Sequence, residues 1–169
     1  MKNILLVIFL ALAANAAKAD TLDDIRQAII EKINEYRANS GLSPLTRWVE
    51  GEACANLSAE KDSKIFNQTK VPHQSEESKG ICYEGAAASG QNTLANYYLE
   101  RAFYEGLNTL QESLDKGIEK MWDEKRTNGI HYKNMSNEKF KQVAVGIYVN
   151  PDKDSQNRDK YWVNMNFRD

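Results

Sequence analysis

The chain has 169 residues, a formal net charge of −2, 41% hydrophobic residues and 27% charged residues. This length fits one domain, and the apolar content is sufficient for a core, which argues against a disordered chain. The slightly acidic balance argues against a nucleic-acid-binding protein, because such proteins normally carry a basic surplus or patch. The two cysteines allow at most one internal disulfide, so the fold depends mainly on its core.

The N-terminal segment has the three parts of a secretory signal peptide. Lys2 gives a positive start, residues 4–14 form an apolar run, and the Ala-Lys-Ala triplet at 17–19 places small side chains before a cleavage site. The apolar run is shorter than the ~20 residues of a membrane span, and an uncleaved anchor is the alternative. We therefore predict a signal peptide over 1–19, no membrane span after cleavage, and one mature domain over 20–169 that is exported to the periplasm or the extracellular space.

Apolar residues at three- and four-residue steps predict helices in the first part of the mature chain. Leu22 opens the clearest series, which continues to Tyr36. The expected helical segments are 22–39, about 45–64, and 93–126. The last segment is expected to form two helices separated near Gly106 or Gly117, because glycine weakens a helix interior. The polar residues 66–80 are expected to form a loop.

The last third of the chain changes to the two-residue alternation of β-strands. Apolar and small residues alternate over 140–149, and large apolar residues alternate with polar ones over 161–167. The polar segment 151–159 between them predicts a turn, so the two strands are expected to pair as an antiparallel hairpin. Helices followed by strands imply an α+β fold rather than a parallel doubly wound sheet.

Few residues of the chain have the chemistry of a metal or catalytic site. The only histidines are His73 and His131, and both lie in polar or turn-like surroundings. Neutral imidazole is the commonest metal ligand and a usual general base. Glu84 stands between an aromatic residue and a run of small residues, and Glu124 ends an amphipathic segment. No known metal, phosphate or nucleophile motif connects these four residues, so the residues alone favour surface or packing roles.

Three segments of the chain together resemble one known family. Residues 30–45 match the pattern Asn-x-x-Arg-x-x-x-Gly-Leu-x-x-Leu, residues 131–148 contain a His-Tyr pair followed by a strand, and residues 161–163 match the next strand. These segments resemble the CAP superfamily of cysteine-rich secretory proteins, antigen 5 and pathogenesis-related proteins. The resemblance implies a three-layer α-β-α sandwich with a small antiparallel sheet.

The resemblance also implies a cleft that holds two histidines and two glutamates. His131 matches the histidine of the His-Tyr segment, and His73 falls in the loop where the other histidine is expected. Glu124 matches the Glu of a Trp-x-x-Glu motif. Glu84 matches the Glu of a Gly-Glu-Asn motif, although its neighbours differ from that motif. Three other glutamates compete with Glu124 for its place, namely Glu100, Glu105 and Glu112.

A cleft of this composition suits a divalent metal such as zinc, with the carboxylates binding the ion or orienting the rings. The leading prediction is an exported CAP-domain protein that binds a metal and acts as a binding module for a small apolar or cell-surface ligand. One alternative is a metal-assisted peptide or ester hydrolase with Glu84 or Glu124 as catalytic base. Another alternative is a structural envelope protein with a vestigial cleft.

Cys54 and Cys82 are predicted to form a disulfide, because the chain is expected to be exported to a compartment that permits one. The bond would close a loop of 29 residues counted inclusively. A loop of that size constrains the unfolded state by roughly 3–4 kcal/mol in the chain-entropy relation. It would tie the second helix to the segment that carries Glu84. Two buried free thiols are the alternative.

Overall fold

The computed structural model describes residues 22–71, 73, 75, 90–95, 110–152 and 159–169. The helices and strands of these ranges are, in chain order, α1 (Leu22–Ala38), β1 (Thr46–Arg47), α2 (Glu52–Thr69), β2 (Gly90–Leu94), α3 (Leu110–Asp123), α4 (Ile130–Ser136), β3 (Gln142–Asn150) and β4 (Lys160–Arg168). One 3₁₀ turn, Val49–Gly51, precedes α2, and another, Glu124–Thr127, follows α3. The predicted signal peptide lies outside the described residues.

The strands form one sheet in the order β1-β3-β4-β2. β3 and β4 pair antiparallel, with Val145 opposite Met165, and β2 pairs antiparallel with the other side of β4. The predicted hairpin is therefore confirmed. The two-residue β1 pairs parallel with β3, so the sheet is mixed at one edge.

The larger core lies between one face of the sheet and the helices α1, α3 and α4. Alternate residues of the two long strands point into it, as the two-residue period predicted. Its fully buried members include Ile29, Ile33, Leu114, Ile118, Met121, Met135, Val143, Val145, Val163, Met165 and Phe167. Burying one such side chain stabilises the fold by roughly 1.5–3 kcal/mol, so this face supplies most of the driving force.

Helix α2 covers the opposite face of the sheet and completes three layers. It contacts both β3 and β4. The approach is close because Gly146 of β3 has no side chain, and a Cβ there would overlap the backbone of Ala55. Farther along α2, Phe66 packs on Trp162 with ring centroids 5.2 Å apart. The expected α-β-α sandwich is confirmed.

Some predicted boundaries are wrong. The second helix covers 52–69 rather than 45–64, because Thr46 forms β1 and its N–H donates to the Lys141 carbonyl. Residues 93 and 94 belong to β2 rather than to a helix. Helix α3 runs through Gly117 without a break. That glycine gives room to Leu94, whose side chain a Cβ at 117 would meet. None of the helices in the described ranges is long and apolar enough to cross a membrane.

Candidate functional site

Glu124 and His131 are in direct contact. Glu124 lies in the 3₁₀ turn after α3, and His131 lies in the first turn of α4. The Glu124 Oε1 atom is 2.6 Å from His131 Nδ1, and Glu124 Oε2 accepts the backbone N–H of His131 at 3.2 Å. The two side chains keep 30% and 21% of their exposure, so the pair borders solvent. A carboxylate on Nδ1 orients the ring and leaves Nε2 for a ligand.

Gly129 makes this contact possible. It precedes α4 in an extended conformation, and its N–H donates to the Glu124 carbonyl at 3.0 Å. A Cβ at position 129 would overlap the Glu124 carboxylate. The glycine therefore clears the space through which the carboxylate reaches His131.

Among the described residues, His73 contacts side chains of strand β2. Its Nδ1 atom is 2.6 Å from Gln91 Oε1 and 3.2 Å from Thr93 Oγ1. The backbone of His73 has φ 57°, in the left-handed region that residues other than glycine rarely adopt. Such strain costs roughly 1–3 kcal/mol and persists where surrounding contacts hold the residue in place. The two side-chain contacts to β2 are contacts of that kind.

Gln91 is a site residue that the sequence analysis missed. It lies in the tripeptide Gly90-Gln91-Asn92, which differs from Gly-Glu-Asn only by an amide in place of the carboxylate. Because Gly90 and Asn92 both match the motif, this tripeptide is the sequence feature that could have identified Gln91 as a site residue. Glu84, the residue predicted for this motif, lies outside the described residues, so its role stays a prediction.

Both histidines are attached to the same end of β2. His73 contacts the side chain of Gln91, whereas Asn92 Nδ2 donates to the carbonyl of His131 at 3.0 Å. Asn134 of α4 strengthens the second attachment, because its Nδ2 donates to Gln91 O at 3.1 Å and to Asn92 Oδ1 at 2.9 Å. Consecutive side chains of a strand point to opposite faces, so Gln91 and Asn92 leave opposite faces of β2, which is an edge strand of the described sheet.

Across the residues that the structure describes, no three or more His, Cys, Asp or Glu side chains form a group that could hold a metal. Glu124 is paired with His131, and His73 is paired with uncharged groups. Among the described residues, the contacts of both rings are made at Nδ1, which leaves Nε2 as the atom for an added ligand. Each ring therefore offers one imidazole nitrogen, which is a donor that divalent metals such as zinc prefer.

Comparisons with known proteins agree with this architecture, which is that of an α-β-α sandwich domain of the CAP type. The family model described as "Cysteine-rich secretory protein family" matches residues 30–167. The chain belongs to this family, as its resemblance predicted. No curated protein matches the sequence significantly.

Solved structures with the same fold are distant in sequence. An extracellular protein containing an SCP domain from Bacillus anthracis str. Ames is 19% identical with a TM-score of 0.55, over 89% of this chain and 45% of that one. This chain therefore spans less than half the length of that protein. MpPR-1i is 13% identical with a TM-score of 0.47, over 88% of this chain and 90% of the other. At 19% identity the likeness to the Bacillus anthracis protein shows the fold alone.

Proposed function

We propose that this chain is an exported CAP-domain protein that binds a divalent metal such as zinc through the Nε2 atoms of His73 and His131. The observation that carries the proposal is that both rings are held at Nδ1 by an oxygen, 2.6 Å away in each case. Metal-binding histidines nearly always have their second nitrogen held in this way. Export is supported by the signal-peptide pattern and by the family, whose name describes secreted proteins.

The proposed roles of the two acids differ. Both oxygens of Glu124 contact His131, so Glu124 orients that ring. Glu84 is the proposed further ligand, as the family motif implies. When bound, a zinc ion would act as a Lewis acid and hold a ligand atom in an open coordination position. The chain's own contribution is to fix the two rings.

A binding role is favoured over hydrolysis. Gln91 takes the place beside His73 where a carboxylate could act as a base, and an amide cannot accept a proton there. Glu124 is already engaged by His131. Of the two acids predicted as a catalytic base, Glu84 is the one that a hydrolase could still use. A structural envelope protein with a vestigial cleft would bind no metal, so metal titration separates it from the proposed function.

The ligand is proposed to have an apolar part. Two of the large hydrophobic side chains that the described residues leave exposed stand next to the histidines. Val71, two residues before His73, is 48% exposed, and Ile130, directly before His131, is 62% exposed. Exposed apolar side chains beside a polar site are typical of ligand-binding clefts. This placement supports the predicted small apolar ligand.

Zinc titration by calorimetry on the metal-free mature chain tests the metal site. Wild type is expected to bind one zinc ion, and His131→Asn and His73→Asn are each expected to bind at least ~10-fold more weakly. Asparagine suits position 73 because it tolerates the left-handed backbone. The exposed carboxylate Glu138 supplies the control, and Glu138→Gln should leave the affinity unchanged. Absence of zinc binding by wild type would contradict the proposal.

Binding of a fluorescent fatty acid tests the ligand class. We expect saturable binding that weakens in Val71→Ser and Ile130→Ser. Val49 is similarly exposed at 59% but lies in the 3₁₀ turn before α2, so Val49→Ser is the matched control. Equal binding by all four proteins would show that the apolar residues beside the histidines are not the ligand site.

A further inference from the structure

A group of polar side chains is buried beneath His73, between α2 and the sheet. Its members are Ser58, Asp62, Thr93, Asn164 and Asn166, and each is at most 4% exposed. Burying polar groups in a core is costly unless every group is hydrogen-bonded. Apolar side chains would fill this space at lower cost, so the presence of polar ones indicates a specific role. The directions of their hydrogen bonds indicate which role.

The orientation of the Asn164 amide is fixed at one end by Trp162. The indole Nε1 of Trp162 is 3.1 Å from Asn164 Oδ1, and an indole N–H can only donate. The Nδ2 of Asn164 therefore points the other way, where it donates to Asp62 Oδ2 at 3.2 Å and to Ser58 Oγ at 2.8 Å. Asn164 therefore faces the next hydrogen-bonded residue with its oxygen, which can only accept.

That next residue is Thr93, which lies opposite Asn164 in the sheet. Its hydroxyl donates to Asn164 Oδ1 at 2.7 Å. With its single proton used there, Thr93 Oγ1 has only lone pairs to offer to His73 Nδ1, 3.2 Å away. The proton in this contact must therefore belong to His73.

Gln91 presents a second acceptor to the same ring nitrogen. Its Nε2 donates to Asn166 Oδ1 at 2.7 Å and to Ser58 Oγ at 3.2 Å. The amide oxygen Oε1 is consequently the atom that faces His73 Nδ1, at 2.6 Å. Two fixed acceptors therefore converge on one ring nitrogen. A glutamate at position 91 would offer no donor to Asn166 or Ser58, so this network suits an amide.

We infer that the buried network beneath His73 sets the tautomer of this histidine, with Gln91 and Thr93 as positioning residues. The neutral ring carries its proton on Nδ1 and presents the lone pair of Nε2, which is the form that can bind a metal. The use of that lone pair for zinc rests on the proposed function. The tautomer itself is a property of the metal-free chain, so the two ideas can be tested separately.

Nitrogen-15 NMR of the metal-free mature chain tests the inference, because the coupling pattern of each ring reports which nitrogen is protonated. The chain has two histidines, so His131→Asn assigns both rings. At about pH 8.5 an ordinary imidazole is neutral. We expect His73 to be protonated at Nδ1 in wild type and in Thr93→Ser, which keeps the hydroxyl. In the double variant Gln91→Leu/Thr93→Val we expect both tautomers to be populated.

A wild-type His73 protonated mainly at Nε2 would overturn the inference, as would an unchanged tautomer in the folded double variant. If the double variant does not fold, the wild-type spectrum alone still decides. Zinc affinity of the double variant is expected to fall ~10-fold or more, as for other groups that orient a ligand. Failure of wild type to bind zinc would remove the proposed function but leave the tautomer result standing.

Discussion

Glu124 holds His131 at two points, the ring nitrogen Nδ1 at 2.6 Å and the backbone N–H at 3.2 Å. The second contact places a carboxylate at the N-terminus of α4, where unpaired N–H groups favour negative charge. One side chain therefore both begins the helix and orients the ring that the helix carries. The position of the ring is linked in this way to the stability of α4.

Replacing Glu124 by glutamine removes the negative charge of the side chain but keeps its size and shape. The amide oxygen can still accept from His131, but the charge-assisted bond is lost, and such bonds are about twice as strong as neutral ones. We expect zinc affinity to fall about 10-fold while the far-ultraviolet circular dichroism stays unchanged. Calorimetric titration measures the first quantity. An affinity equal to that of wild type would mean that the Glu124 charge does not act on His131.

Alanine at Gly129 is expected to displace the Glu124 carboxylate, because the added Cβ overlaps it. The free energy of unfolding should fall by about 1–3 kcal/mol, the usual cost of overpacking. Removing the carboxylate should remove part of that cost, although the Glu124 Cβ stays 2.8 Å from the added atom, so Gly129→Ala should be milder in a Glu124→Ala background. A double-mutant cycle by urea unfolding measures the coupling, expected at about 1 kcal/mol or more. Strict additivity would show that the two residues do not interfere.

The main elements could be predicted from the sequence because their burial follows a regular period. Helix α1 and the hairpin of β3 and β4 were predicted to within two residues at each boundary. In contrast, β1 has two residues and β2 has five, too few for a period to emerge. Their formation depends on pairing with β3 and β4, which lie far away in the sequence. Strands that depend on such long-range pairing show little recognisable pattern in their own sequence.

The site was predictable only in part for the same reason. Glu124 and His131 are seven residues apart, and local geometry brings them together. The partner of His73 is Gln91, whose position depends on the register of β2 against β4. Gln91 also carries an amide where the family motif has a carboxylate, so its residue type does not indicate a site. The roles predicted for Glu84 and for Cys82 concern residues outside those described and stay predictions.

The stability of the chain is expected to depend on pH through Asp23. Hydrogen bonds from Arg47 and then Arg26 lower the pKa of this carboxyl below its ordinary value of 3.8. A lowered folded-state pKa contributes stability above the unfolded value, and that stability is lost as the pH falls through the folded value. Asp23→Asn should therefore lower Tm at neutral pH, with a difference that shrinks below about pH 4. A difference that stays constant with pH would contradict this account.

The predicted Cys54–Cys82 disulfide can be tested by removing it. The double variant Cys54→Ser/Cys82→Ser should lose about 3–4 kcal/mol of unfolding free energy, because the unfolded chain gains freedom. A thiol-reactive dye should find no free thiol in denatured, unreduced wild type. A reducing agent should destabilise wild type to the level of the double variant and leave that variant unaffected. Two titratable thiols in wild type would rule out the bond.

Arg37 is a fully buried cation whose described partners are backbone carbonyls rather than a carboxylate. It is 0% exposed and donates to the carbonyls of Ser43, Met135, Asn137 and Phe140 at 2.7–3.4 Å. Burial lowers the pKa of its guanidinium, because the charged form loses solvation. Met135 and Asn137 lie at the C-terminal end of α4, where orphan carbonyls and the helix dipole favour a cation.

Arg37→Met keeps the apolar stem but leaves these carbonyls without donors, and we expect the unfolding free energy to fall by about 3 kcal/mol. Arg37→Lys keeps the charge and should recover part of this loss. Lys139 is exposed, so Lys139→Met should stay within about 0.5 kcal/mol of wild type. Because Arg37 holds the end of the helix that carries His131, the NMR signals of the His131 ring should also shift in Arg37→Met. Wild-type stability with an unmoved His131 signal would show that α4 does not depend on Arg37.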